Sequence, residues 1–173
     1  MSLALAVVLI AALVAAATDV RSQRIPNALT VTLALAGLII NAAHGWPALL
    51  ASLAIMVGVL VVGLVAHAGG WMGGGDVKLM AAALGTLGAA DALPFALYTL
   101  LAGGALAIAI SMVRGRLLEV ARTTLEMGVT IARGAAPDKP PVASKLPYGL
   151  AIACGSILVT LSHTLVPSLR LLR

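Results

Sequence analysis

Residues 3–17 and 55–66 carry neither a charged nor a polar side chain, and similar apolar blocks recur along the whole chain. No other feature limits the possible folds as sharply. A membrane-crossing helix needs roughly 20 predominantly apolar residues, and the intervals between charges leave room for several. Soluble domains are about 45–50% apolar and about 25% charged, whereas these 173 residues are 61% hydrophobic and 10% charged. A transmembrane β-barrel would alternate apolar and polar positions, and these blocks do not alternate. The sequence therefore predicts an all-α, polytopic membrane protein forming a single membrane-embedded domain over residues 1–173. The one cysteine, Cys154, excludes an internal disulfide and a cysteine-based zinc site. The net charge of +5 is not a sign of nucleic-acid binding, because the basic residues flank the apolar blocks and serve to set orientation.

In chain order, six spans are expected at residues 2–18, 28–43, 48–66, 77–90, 92–113 and 146–166. The first is read as an uncleaved span, since no basic segment precedes it and Asp19 with two arginines follows. Residues 19–27 read as a short polar loop, with Pro26 suited to the first turn of the next helix. The fourth span has 14 residues, about 21 Å at 1.5 Å per residue, and is short for a hydrocarbon core. It is taken as a short crossing, accommodated by local thinning of the bilayer. In the polar segment 114–145, Glu119, Arg122, Glu126 and Arg133 recur at helical spacing, with Leu117, Ala121, Leu125 and Gly128 between them. That pattern predicts an amphipathic helix lying in the interface, broken by the prolines of residues 137–141. Six spans put nine of the eleven basic residues on one face. The positive-inside rule makes that face cytoplasmic, with both termini opposite.

Asp76 follows a loop almost devoid of side chains, residues 69–75, and Asp19 ends an earlier apolar block on the same expected side. Each has an ordinary alternative. Asp76 suits a helix N-cap, and Asp19 suits the water boundary of a span. Together they suit acid–base hydrolysis. Two neighbouring carboxylates resist double ionisation and share a proton. The ionised one takes a proton from water while the other donates to a scissile carbonyl. Roles within such a pair are not assigned, because titration belongs to the pair. Gly73, Gly74 and Gly75 would let a substrate backbone approach closely. Lys78 could steady a nearby carboxylate, or snorkel to headgroups. His44, His67 and His163 show no metal-ligand spacing, and His67 reads as an interfacial side chain near the Asp76 loop. No cofactor or metal is expected. The same aspartates could instead carry protons in a small coupled transporter, but such sites usually lie at the bilayer midplane, and these residues fall at span ends. A purely structural assembly role would leave neither aspartate important.

At these residues the chain resembles the prepilin peptidases, the GxGD class of membrane aspartyl peptidases. Gly73-Gly74-Gly75-Asp76-Val77-Lys78 matches the motif GxGDxK, and residues 19–27 resemble the first-aspartate loop. Pro147-Tyr148-Gly149 resembles the Pro-(Phe/Tyr)-Gly that opens the last span. The resemblance runs through the chain in order. It implies six helices, catalytic roles for Asp19 and Asp76, site-shaping roles for the other motif residues, and a bacterial inner-membrane enzyme working at the cytoplasmic face. The implied substrate is a membrane-inserted type IV pilin-like precursor: a short basic leader, a small residue before the cut, and an apolar helix after it. The chain lacks the amino-terminal Cys-x-x-Cys extension of longer relatives, which is associated with methylating the new amino terminus. It is most similar to the short form found with tight-adherence (Flp) pilus systems, for which cleavage without methylation is expected.

Overall fold

The computed structural model describes residues 2–70, 72–133 and 148–165, and all regular structure among them is helical. The helices are α1 (Leu3–Ser22), α2 (Asn27–Ala43), α3 (Trp46–Ala68), α4 (Gly74–Val113), α5 (Leu117–Ala132) and α6 (Tyr148–Leu165). By length and composition three of them, α1, α3 and α4, suffice to cross a membrane, and α2 and α6 are shorter apolar helices. Many large apolar side chains face outward, Ile39, Val62, Leu100 and Leu101 among them. Such a surface suits contact with lipid and would be a liability in water.

Local chemistry explains most of the helix ends. Ser2 caps α1 by accepting a bond from the Leu5 amide, satisfying one of the donors that a first turn leaves unpaired. Gln23 ends α1 in a left-handed conformation with φ 50°, and its amide returns to the Asp19 carbonyl at 2.8 Å. Pro26 stands at the N-cap of α2, and α3 carries proline in its first turn. Inside α4, Gly88 has φ 68° and ψ −177°, a conformation that only glycine adopts readily. Gly88 divides α4 into two legs, residues 74–87 and 89–113.

The packing shows that the two legs run in opposite directions. The first leg runs with α2: Lys78 meets Asn27 near the start of both, and Thr86 meets Leu33 and Gly37 further along. It runs against α3, pairing Val77 with Gly63 and Gly85 with Met56. The second leg runs against α6. As α6 advances through Ala151, Gly155 and His163, its partners retreat through Gly103, Thr99 and Asp91. Because α6 starts beside Asp19, the second leg returns toward the end from which the first set out. Glycine at the crossing points lets the helices approach closely.

Carbonyls next to the Gly88 break find side-chain partners. Asn41 Nδ2 donates to Gly37 O at 2.9 Å, Gly85 O at 3.3 Å and Thr86 O at 3.2 Å, and Ser52 Oγ donates to Gly85 O at 2.8 Å. An apolar interior tolerates irregular backbone only when its polar groups are satisfied in this way. The amphipathic segment is helical over Leu117–Ala132 and packs only against α4 among the described helices. Leu118 and Leu125 are strongly exposed, and Arg116–Glu119 and Arg122–Glu126 form ion pairs along the same helix. The expected proline break after it lies outside the described residues.

Candidate active site

Asp19 is not in a loop. The expectation of a polar loop starting there took the charge as a water boundary, but α1 continues one turn further, through Ser22. The side chain lies on the stripe that includes Leu5, Val8, Ala12 and Ala15 and is buried, with 8% of its surface exposed. This is a costly place for a carboxylate. The last turn of a helix carries the negative end of its dipole, and Asp19 forms no ion pair among the described residues. What it has is an amide. Gly149 N–H, in the first turn of α6, donates to Asp19 Oδ2 at 3.0 Å. The first-turn amides of a helix have no partner within the helix and carry the positive end of the dipole, so α6 supplies what the end of α1 withholds.

Glycine suits 149 for a steric reason. A Cβ there would sit 3.0 Å from Asp19 Cβ, 3.1 Å from Asp19 Oδ2 and 3.2 Å from Ala15 O. Even a methyl would need these neighbours to give by a few tenths of an ångström, and a larger, branched side chain would press α6 away from α1.

Asp76 occupies the third position of α4, after Gly73 as N-cap. It is therefore not the cap that its position after the loop suggested. Its carboxylate bends back to the cap and accepts a hydrogen bond from the Gly73 backbone, much as the acidic member of a capping box does. The side chain is half-buried. Asp76 is desolvated by that burial and feels the charge of Asp19. The Tyr148 phenol, itself desolvated, feels the charge of Asp76. Asp19, Asp76, Tyr148 and Gly149 thus come together at one end of the helices. The sequence pointed to all four.

Gly73 is exposed and Gly74 and Gly75 are partly so, and the side of each on which a Cβ would stand faces a group of the protein itself. The Asp76 carboxylate crowds Gly73, the His67 ring covers Gly74, and Ile25 lies against Gly75 with 3.3 Å to a Cβ placed there. Among the described residues Lys78 reaches no carboxylate. It is exposed, and its Nζ donates to Asn27 Oδ1 at 3.0 Å, tying the start of α2 to the start of α4. Ile25 and Asn27 entered the sequence reading only as part of the first-aspartate loop, because their individual roles depend on contacts with a distant helix. Pro147 lies outside the described residues. Among the described residues no three His, Cys, Asp or Glu side chains gather as a metal-binding group.

The family model for type IV leader peptidases matches residues 6–108, more than half of the chain and a stretch holding both aspartates. The chain belongs to the type IV leader peptidase family. No curated protein matched at the level required, and no solved structure did. Membership makes this protein a peptidase of the kind that processes type IV prepilins. The matched stretch ends before α6, so the part of the site formed by Tyr148 and Gly149 rests on the geometry above.

Proposed function

We propose that this peptidase is an aspartic endopeptidase in which Asp19 and Asp76 act as one unit, removing the short basic leader from a type IV, Flp-like prepilin at the cytoplasmic face of the bacterial inner membrane. The observation that carries the reading is the burial of Asp19, held by the Gly149 amide, with no cation beside it among the described residues and within electrostatic reach of Asp76. A structural carboxylate at the end of a helix would face water or a lysine. One that is desolvated beside a second carboxylate has the features of a catalytic pair.

The chemistry follows from the pair. With one proton between them, the ionised carboxylate removes a proton from water as the oxygen attacks the scissile carbonyl carbon. The protonated carboxyl gives its proton to the carbonyl oxygen, leaving a neutral tetrahedral diol. Collapse then breaks the carbon–nitrogen bond, one hydroxyl proton returns to a carboxylate, and the amine leaves with a proton from the other. The Gly149 amide keeps the Asp19 side chain from turning away through a direct bond, and the Tyr148 phenol lies within electrostatic reach of Asp76.

The proposed topology has six crossings, with the two legs of α4 as separate ones and α5 lying in the cytoplasmic interface. The first leg has a length of about 21 Å and would thin the bilayer where the substrate's own helix must present its end. In a Cys154-free background, single cysteines at Ser2 and Ala136 should label from opposite sides. Labelling of position 136 from outside would contradict this orientation.

The primary test is direct. Purified protein in detergent or lipid is mixed with a precursor pilin, and the product is weighed. The expected result is a pilin shortened at the residue before its apolar helix, with an unmethylated amino terminus. An intact precursor would overturn the peptidase reading, and a uniform gain of about 14 Da over the cleaved mass, one methyl for one hydrogen, would overturn the absence of methylation.

A further inference from the structure

We propose that His67 is a positioning residue for Asp76: its ring holds the Met72–Gly73 peptide unit, and the other side of that unit meets the Asp76 carboxylate. The inference rests on the catalytic reading of Asp76 given above. His67 lies in the last turn of α3 and brackets the glycine loop twice. Its carbonyl accepts the Gly70 amide at 2.9 Å, and its ring Nδ1 lies 2.9 Å from Met72 O. A carbonyl can only accept, so Nδ1 carries the hydrogen and the donor is the ring. The same ring lies over Gly74, where a Cβ would stand 3.4 Å from Cε1 and 3.5 Å from Nε2.

The Met72 carbonyl and the Gly73 amide belong to one rigid peptide plane. His67 fixes the oxygen of that plane, and the Gly73 backbone bonds the Asp76 carboxylate. A bond accepted by the carbonyl polarises the amide and strengthens the bond it donates. The result is a line from His67 Nδ1–H through the plane to Asp76. An exposed histidine at the end of a helix is otherwise free to point at water or headgroups. Here its ring spans a loop whose glycines offer no side chain of their own to set the plane.

The test uses the full-length protein and cleavage of a precursor pilin at steady state. Asparagine places its side-chain amide nitrogen where imidazole has Nδ1, whereas glutamine places it nearer the position of Nε2. His67→Leu should lower kcat about tenfold, the scale of one lost hydrogen bond, with KM little changed. His67→Asn should recover most of that loss, and His67→Gln should resemble His67→Leu. Hydrogen exchange at the Gly73 amide should quicken in His67→Leu and return toward the wild-type rate in His67→Asn, a readout that needs no catalysis. Wild-type kcat in His67→Leu, or His67→Asn no better than His67→Leu, would overturn the proposal. Asp76→Asn, run alongside, separates the two possible failures. Normal cleavage there removes Asp76 from the chemistry, while an inactive Asp76→Asn beside a fully active His67→Leu removes His67 alone.

Discussion

The helices fall into two groups held together in different ways. α2, α3 and the first leg of α4 are joined by buried hydrogen bonds that cross from helix to helix: Asn41 to Gly85 and Thr86, Ser52 to Gly85, and Thr86 to Leu33. In the second group, α1, α6 and the second leg of α4, two cross-helix bonds among the described residues stand at opposite ends. Gly149 meets Asp19 at one end, and His163 meets Asp91 at 3.0 Å at the other. Midway, the Thr99 hydroxyl is buried without a partner and lies against Gly155. Glycines pack closely in both groups, but the first adds polar bonds in its interior, whereas the second, among the described residues, carries them at two end clasps. Asp76 belongs to the first group and Asp19 to the second. Each carboxylate therefore takes its position from a different kind of packing, and the site lies where the two groups meet.

Substitutions can break or sharpen that contrast. The largest effect should come from Gly149→Val. Its branched side chain would meet Asp19 and the Ala15 carbonyl, tilting α6 away and removing the donor. Cleavage should fall by about 100-fold or more, the scale of a small misplacement at a reacting centre, measured with protein amounts matched. If Gly149→Val cleaves normally, the clasp has no part in holding Asp19. Next comes Asn41→Leu, which removes the Asn41 bonds to the Gly85 and Thr86 carbonyls and leaves Ser52 on the Gly85 oxygen. Inter-helix hydrogen bonds in membranes are worth about 0.6 kcal/mol on average and up to about 1.7, so losing this bonding should cost about 1–2 kcal/mol in a detergent unfolding titration. Lys78→Met should be milder, because the bond to Asn27 is exposed. Cleavage within about threefold of wild type is expected, in keeping with a net worth of about 0.5–1.5 kcal/mol or less per bond.

The smallest effect is expected at Thr99. Thr99→Val replaces a hydroxyl that has no hydrogen-bond partner with a methyl of similar shape, and burying such a hydroxyl is itself unfavourable. Stability should be unchanged or slightly raised, by about 0–1 kcal/mol, in the same titration used for Asn41→Leu. A marked loss would mean that the second group depends on polar bonding as the first does, and the contrast would collapse.

Much of this was legible in the sequence because apolar runs and their punctuation are local. The boundary expected near residue 91 lies three residues from the Gly88 break, since a charge and a glycine both interrupt the run. The motif glycines, both aspartates and Tyr148-Gly149 could be named for the same reason. What stayed hidden depends on distance in sequence or on direction. Nothing near Asp19 says that its helix runs on to Ser22 or that its partner is an amide 130 residues away. Nothing near Gly74 says that the space over it belongs to His67. Lys78 is a further instance: its position near a carboxylate suggested a charge partner or a side chain snorkelling to headgroups, and the fold brings it to the Asn27 amide oxygen.

The most direct measurement of the central claim, that the two groups deliver carboxylates to a single unit, is a double-mutant cycle in precursor cleavage. Asp19→Asn, Asp76→Asn and the pair are compared with wild type under enzyme excess, at matched protein levels and with an unchanged thermal transition. Asparagine keeps the shape of each side chain and can still accept the bonds from Gly149 and Gly73. Each single change should nevertheless lower the rate by about 10³-fold or more, and the double change should be little worse than either, because groups acting as one unit lose activity non-additively. Substantial cleavage by either single variant, or a double variant whose loss is the product of the two single losses, would contradict it.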